Sequence, residues 1–192
     1  VHGFDHILRV LSLADRMAAS EGADFEIVHA AALLHDAQAK PTHRADHHLE
    51  SAQFAQHILQ TENWSVDRIE AVLHCIRAHR FRDDREQPST LEAKVLFDAD
   101  KLDAIGATGV ARAIAYAVRA GMPFYVTPSQ RFITTGELEV GEYHSAYHEY
   151  LFKLIKIQAR LYTPSGQKLG AGRHAAMEAF FQQLQAEVAG EG

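Results

Sequence analysis

The first chemical signal is a pair of residues, His35 and Asp36, at the end of an apolar run reading Phe-Glu-Ile-Val-His-Ala-Ala-Ala-Leu-Leu. Burying a carboxylate and an imidazole there is costly unless something pairs with them. A helix C-terminus also carries partial negative charge, which favours a cation nearby. A bound metal would answer both demands; the plain alternative is a helix end that meets water. A second signal is Asp98-Ala99-Asp100-Lys101-Leu102-Asp103. Three aspartates within six residues of a helix repel one another unless cations intervene. Asp98 shares the apolar stripe of Leu91, Val95, Leu102 and Ile105, whereas Asp100 and Asp103 lie about 60° apart on a neighbouring face.

Histidines are numerous, 13 in 192 residues. His6 sits among apolar residues, and His2 lies one turn earlier on the same face. His43, His47, His48, His57, His74 and His79 fall between the His-Asp pair and the aspartate run. His144 and His148 sit among Tyr143, Tyr147 and Tyr150, which reads as an aromatic face, either core or a homodimer interface.

The elements that must position these residues are helices. Phe4, Ile7, Leu8, Leu11, Ala14 and Ala18 form one stripe, and Val10, Leu13 and Met17 a second, so the first helix is expected between neighbours. Gly22 ends it. Asp24 opens the second helix, expected to be the central buried one, with Pro41 in the loop after it. Further helices are expected over about 46–60, 65–79 and 89–104, the fifth opened by a Ser89-Thr90-Leu91-Glu92 capping box, and Gly106 and Gly109 interrupt before a sixth helix ending at Gly121. The longest irregular stretch is 122–141, and two more helices should span about 142–162 and 167–188. Alternating strand patterns are nearly absent. The expectation is an all-α bundle of about seven to eight helices, a single domain over 1–192 with a core in 1–121 and a helical extension at 142–189.

Composition sets limits. Nineteen basic against 25 acidic residues leave a net charge of −6, which argues against a nucleic-acid or acidic-membrane partner. The single cysteine, Cys75, excludes an internal disulfide and a cysteine-based zinc site. No run approaches a membrane span and no signal peptide is visible, so a cytoplasmic protein is expected. The chain opens at Val1, already inside a helical pattern.

His6, then His35-Asp36, then an aspartate before a basic residue and a leucine, on successive predicted helices, resembles the HD-domain superfamily of metal-dependent phosphohydrolases. The likeness extends over nearly the whole chain. His2-x-x-x-His6-x-x-Arg9-Val10, Leu33-Leu34-His35-Asp36, Ala78-His79-Arg80-Phe81, the 98–106 run with Gly109 and Arg112, Lys153-Leu154-Ile155-Lys156 and Gly166-Gln167-Lys168 look like a group of small, mostly uncharacterised bacterial HD hydrolases. Two named subfamilies fit badly. Guanosine-tetraphosphate hydrolases carry an acidic pair after His-Asp, where this chain has Ala37-Gln38-Ala39-Lys40. Cyclic-dinucleotide phosphodiesterases carry Gly-Tyr-Pro after paired histidines, where it has Phe81-Arg82-Asp83-Asp84.

The resemblance implies His6, His35, Asp36 and Asp100 as ligands of a divalent metal (Mn, Fe, Zn, Co or Mg), with His35 and Asp36 at the catalytic centre. It makes Asp98 a buried supporting acid and His2, His79 and Asp103 pocket residues. Arg9, Lys101 and Arg112 are candidates to neutralise phosphate charge. The expected activity is hydrolysis of a phosphate ester of a nucleotide or similar small metabolite by metal-activated water. Two rivals stand beside it. One is an HD-fold diiron oxygenase, with His47, His48 and His74 as candidate ligands of a second metal. The other is a non-catalytic sensor that binds metal or nucleotide.

Overall fold

The computed structural model describes residues 3–38, 46–80 and 85–191. Helices account for nearly all regular structure there, with no strand among the described residues. The contacts group into two compact units. One comprises the described residues of His2–Lys101 with Leu161–Gln167, the other Leu102–Arg160 with Lys168–Gly192.

The first unit is built on helices α1 (Phe4–Glu21), α2 (Phe25–Leu34), α3 (His47–Thr61), α4 (Val66–Ala78) and α5, which spans Leu91–Asp103 and carries the boundary near its end. Helix α2 packs on α1 and α4, and α3 on α4. Gly22 ends α1 in the left-handed region (φ 76°), and its N–H donates to Ala18 O, the usual glycine stop. The Asp24 side chain opens α2 by accepting from Ile27 N at 3.2 Å. On α1 the buried face is His6, Val10, Leu13, Ala14, Met17 and Ala18, while Phe4 and Leu8 are exposed. Only one side of α1 is therefore covered, and His6 lies on that side. Helix α2 likewise leaves Phe25 and Leu33 open to solvent, so it is less enclosed than its composition suggests.

The start of α5 differs from the expected box. Thr90 Oγ1 accepts from Ala93 N at 3.2 Å, and Glu92 reaches away to accept from Asp24 N at 3.0 Å. The acid thus joins α5 to the start of α2. Ser65 takes the cap position of α4 without a side-chain bond.

The second unit holds α6 (Gly106–Arg119), α7 (Gln130–Thr135), α8 (Ala146–Phe152), two 3-10 turns at Leu154–Lys156 and Gln158–Arg160, and most of α9 (Pro164–Val188). The helix expected over 142–162 is broken into α8 and the two turns. The stretch expected to be irregular contains α7, which Ser129 caps by accepting from Phe132 N at 3.0 Å. Tyr147 and Tyr150 are buried against Phe181, with Tyr150 stacked on it at 4.3 Å. They are core residues, whereas Tyr143 is exposed. No described helix is long and apolar enough to cross a membrane.

Candidate metal centre

Five helices of the first unit deliver imidazoles and carboxylates to one place. His6 comes from α1, and His35 and Asp36 follow the last turn of α2. His47 opens α3, His79 ends α4, and Asp100 lies on α5. His6 Nε2 is 3.4 Å from Asp100 Oδ1 and 3.8 Å from Asp36 Oδ2. His35 Nε2 is 3.9 Å from the same Asp36 Oδ2. The other Asp36 oxygen, Oδ1, lies 3.4 Å from His47 Nε2 and 3.9 Å from His79 Nε2. The rings of His6, His35, His79 and His47 follow one another edge to face, with centroids 5.2–5.7 Å apart.

Two of these imidazoles are oriented by the same local device. A helix leaves its last carbonyls without intrahelical partners. His35 and His79 each cap such an end and turn Nδ1 back onto the carbonyl three residues earlier, Ala32 O at 2.7 Å and Ile76 O at 2.6 Å. A carbonyl only accepts, so Nδ1 carries the proton and donates it. For a neutral ring, Nε2 then bears the lone pair, which in both cases points towards Asp36. This is how ring orientation is set at metal sites.

The electrostatics follow from burial. Burial pushes the His79 imidazole down to about 3, so it is neutral at physiological pH. Burial works to raise the Asp36 carboxyl, but the imidazoles of His47, His35 and His79 together outweigh it and hold the carboxyl below the usual carboxylate range. At Asp100 burial is again opposed, chiefly by the Lys101 ammonium paired with Oδ2 and then by His6. Both carboxyls are therefore held in the ionised form. Their side chains keep 9% and 14% exposure, so the cluster meets solvent on the carboxylate side while His6 and His35 are enclosed.

These groups fit a metal. The Nε2 atom of His35 is buried and has no hydrogen-bond partner among the described residues, a costly state for a polar atom. An acceptor aimed at a carboxylate needs something positive between them. Two donors bound to one ion at about 2.1 Å each are at most about 4.2 Å apart, and the separations of 3.4–3.9 Å lie within that limit. Imidazole with carboxylate suits divalent first-row metals and magnesium. Two donor groups meet such spacing, His6–His35–Asp36 and Asp36–His47–His79, with Asp36 common to both.

Other sequence candidates are placed differently. Arg9 pairs at 2.8 Å with exposed Asp5, one turn away on α1. Asp98 is fully buried and serves packing: its carboxylate accepts from Tyr162 N, Thr163 N and Thr163 Oγ1 at 2.7–3.1 Å. The approach is so close that a Cβ at Gly166 would lie 2.3 Å from Asp98 Oδ2. Asp103 and Arg112 belong to the second unit, where they pair with each other. His74 lies away from the cluster, with Nδ1 2.6 Å from Glu86 Oε1 and Nε2 accepting from Ser89 N at 3.2 Å. His48 faces Arg85, whose Nη2 is 3.4 Å from His48 Nε2. Guanidinium is only a donor, so that nitrogen is an acceptor already in use. Of the three second-metal candidates, only His47 faces Asp36. His2 and His43, the loop with Pro41, and residues 81–84 lie outside the described residues.

Similarity to known proteins agrees with this architecture. A match to the HD domain family covers residues 3–105. The chain is 32% identical to the uncharacterised protein YpgQ of Bacillus subtilis, over 98% of this chain and 85% of that one. The crystal structure of Bacillus subtilis YpgQ in complex with ADP superposes with a TM-score of 0.76, covering 97% of this chain and 90% of that chain. A crystal structure of an HD-superfamily hydrolase from Bacillus thuringiensis, 26% identical, gives a TM-score of 0.73 over 98% and 87%. The ordered histidines and aspartates, the all-helical fold and these relatives lead to one conclusion: the chain belongs to the HD-domain family.

Proposed function

We propose that this protein is a metal-dependent phosphohydrolase that acts on a phosphate ester of a nucleotide or similar small metabolite. The observation that carries the reading is the buried His35 Nε2, turned by Ala32 O towards an ionised Asp36 beside His6 and Asp100. His6, His35, Asp36 and Asp100 would hold the ion. When bound, a divalent metal supplies a water acidified towards neutrality and polarises the phosphoryl group. The chain's own residues do the rest. His6 and His35, both enclosed, hold their donors in fixed positions. Asp36, partly open to solvent, is placed to take a proton from water. Lys101 limits the repulsion that Asp100 would exert on an anionic substrate. ADP bound to the YpgQ relative supports a nucleotide as the substrate class.

A second reading has a specific observation behind it. Asp36 presents its other oxygen to His47 and His79, the arrangement a carboxylate shared by two ions would need. With two irons the same residues would serve oxygen-dependent oxidation. One experiment separates the readings: metal analysis of the purified protein, then assays with the metal found. One ion per chain with phosphate release supports hydrolysis, and two irons with oxygen consumption support the oxidase. Tight nucleotide binding with no turnover in any metal would leave a sensor. Retained hydrolysis by His35→Ala at wild-type metal content would sink the ligand assignment.

A further inference from the structure

Three side chains of the first unit form a relay that the metal centre does not use. Ser89 Oγ lies 3.0 Å from His74 Nε2, and His74 Nδ1 lies 2.6 Å from Glu86 Oε1. Arg77 fixes the same carboxylate, with Nε 2.7 Å from Oε2 and Nη2 3.1 Å from Oε1. Burial works to raise the Glu86 carboxyl, but Arg77 and His74 outweigh it and hold it below the usual carboxylate range. An ionised carboxylate only accepts, so the proton on the His74 side belongs to Nδ1. The lone pair of the neutral ring is then on Nε2. The Ser89 hydroxyl donates to it, and the Ser89 N–H shares it at 3.2 Å.

The order is that of a nucleophile, its base and the acid that orients the base. Nε2 can take the serine proton while Glu86 holds the tautomer and stabilises the imidazolium. Ser89 is exposed and His74 keeps 14% exposure, so a substrate can reach the oxygen. Ser89 also lies two residues before α5, a helix of 13 residues. The first N–H groups of such a helix lack intrahelical partners and carry partial positive charge, which favours a developing oxyanion. The second unit holds the same residue types in a bracing role, which marks the difference. There Ser145 Oγ meets Nδ1 of His148, caps α8 by accepting from His148 N, and keeps 1% exposure.

We propose that Ser89, His74 and Glu86 form a second hydrolytic site, a serine esterase site for small carboxylic esters. Ser89 Oγ bonds to the acyl carbon as its proton passes to His74 Nε2. The ester C–O bond breaks, and the leaving alkoxide takes that proton. Water then gives a proton to Nε2 and its oxygen to the acyl carbon. The C–Oγ bond breaks, Oγ recovers the proton, and the acid leaves. Ester and water are the only reactants. The site is open to water, where charge on the carbonyl oxygen is less stabilised than in a dry pocket, so it suits esters with a short acyl group and a good leaving group. None of the three residues is a metal donor, so the proposal stands apart from the phosphohydrolase reading.

The test uses the full chain in a chelating buffer, so that metal-bound water does not contribute. Hydrolysis of p-nitrophenyl acetate is followed for wild type, Ser89→Ala, Ser89→Cys and Glu86→Gln, and a fluorophosphonate probe is applied in parallel. Peptide mass spectrometry of acid-quenched samples locates the acetyl and phosphonyl groups. In wild type both are expected on Ser89. Ser89→Ala should lose both adducts and about a hundredfold in rate, the lower end of what a positioned base contributes. Ser89→Cys should carry the acetyl group on the new thiol. Glu86 is a positioning residue, so Glu86→Gln should lower kcat about tenfold or more with KM within about twofold. Acetyl groups on lysines alone, no phosphonyl group on Ser89, or a wild-type rate in Ser89→Ala would each overturn the proposal. If a variant fails to fold, the location of the probe in wild type still decides.

Discussion

The protein contains two histidine–carboxylate clusters, and they are solved in opposite ways. In the second unit, Glu142 is saturated. It accepts from Ser129 N, Ser129 Oγ and Glu139 N, each at 2.7 Å, and meets His148 Nε2 at 3.0 Å. His148 Nδ1 in turn meets Ser145 Oγ at 2.8 Å. Donors and acceptors match at hydrogen-bond distance, and the result ties α7 to α8. In the first unit, Asp36 faces four imidazole nitrogens at 3.4–3.9 Å, and two of those rings are turned to aim their Nε2 at it. A complete network stabilises a fold; a carboxylate faced by imidazole nitrogens at 3.4–3.9 Å has the spacing that a shared ion would need. Residue type does not tell the two clusters apart. Their hydrogen-bond distances do.

The comparison can be broken most severely at Asp36. Asp36→Ala should remove the metal and lower hydrolysis by about a thousandfold or more, because the acidified water is lost with the ion. Elemental analysis of the same preparation checks it, and Glu142→Ala should keep full metal content. Bound metal in Asp36→Ala would mean that the two clusters do not differ as argued.

The next largest effect concerns stability. Asp98→Asn removes a buried anion from three donors of Tyr162 and Thr163, so unfolding in urea should show a loss of about 2–4 kcal/mol. Metal stoichiometry of the folded fraction should remain that of wild type, since Asp98 is a clamp and not a ligand.

Glu142 sharpens the contrast through pH. Its carboxyl is held down from 4.5 to about 2, first by the His148 hydrogen bond and then by the Glu139 and Ser129 N–H groups. A depressed carboxylate stabilises the fold above its unfolded pKa, and that contribution is lost as pH falls from about 4.5 to about 2. Glu142→Gln should therefore melt a few degrees lower at neutral pH and show a shallower decline in acid. Parallel acid profiles for wild type and variant would contradict this. The smallest effect belongs to His74→Gln. Since His74 braces Glu86 and Ser89, metal content and turnover should stay within about twofold, with a slightly lower melting temperature.

Much of this was legible in the chain. Helical periodicity with Gly22 and Asp24 as stop and start gives the order of helices, and the family resemblance marks His6, His35-Asp36 and Asp100, whose side chains lie close together in the fold. The errors have local causes. The two stripes of α1 looked equally apolar, yet Phe4 and Leu8 face solvent, because periodicity identifies a face without saying what covers it. The Ser89–Glu92 box was displaced by Thr90 because Glu92 found a partner 68 residues away at Asp24. His47, His48 and His74 were equivalent in sequence, and only His47 meets Asp36.

The sequence by itself determined which residue types are present and which helix each one rides on, since those depend on local spacing and capping. Only the tertiary structure decided which histidines share a carboxylate, which are already satisfied by Arg85 or Glu86, and that Asp98 clamps Tyr162 and Thr163. Those outcomes depend on distances between groups far apart in the chain. Hydrogen bonding and metal ligation change over fractions of an ångström, a scale that residue order does not specify.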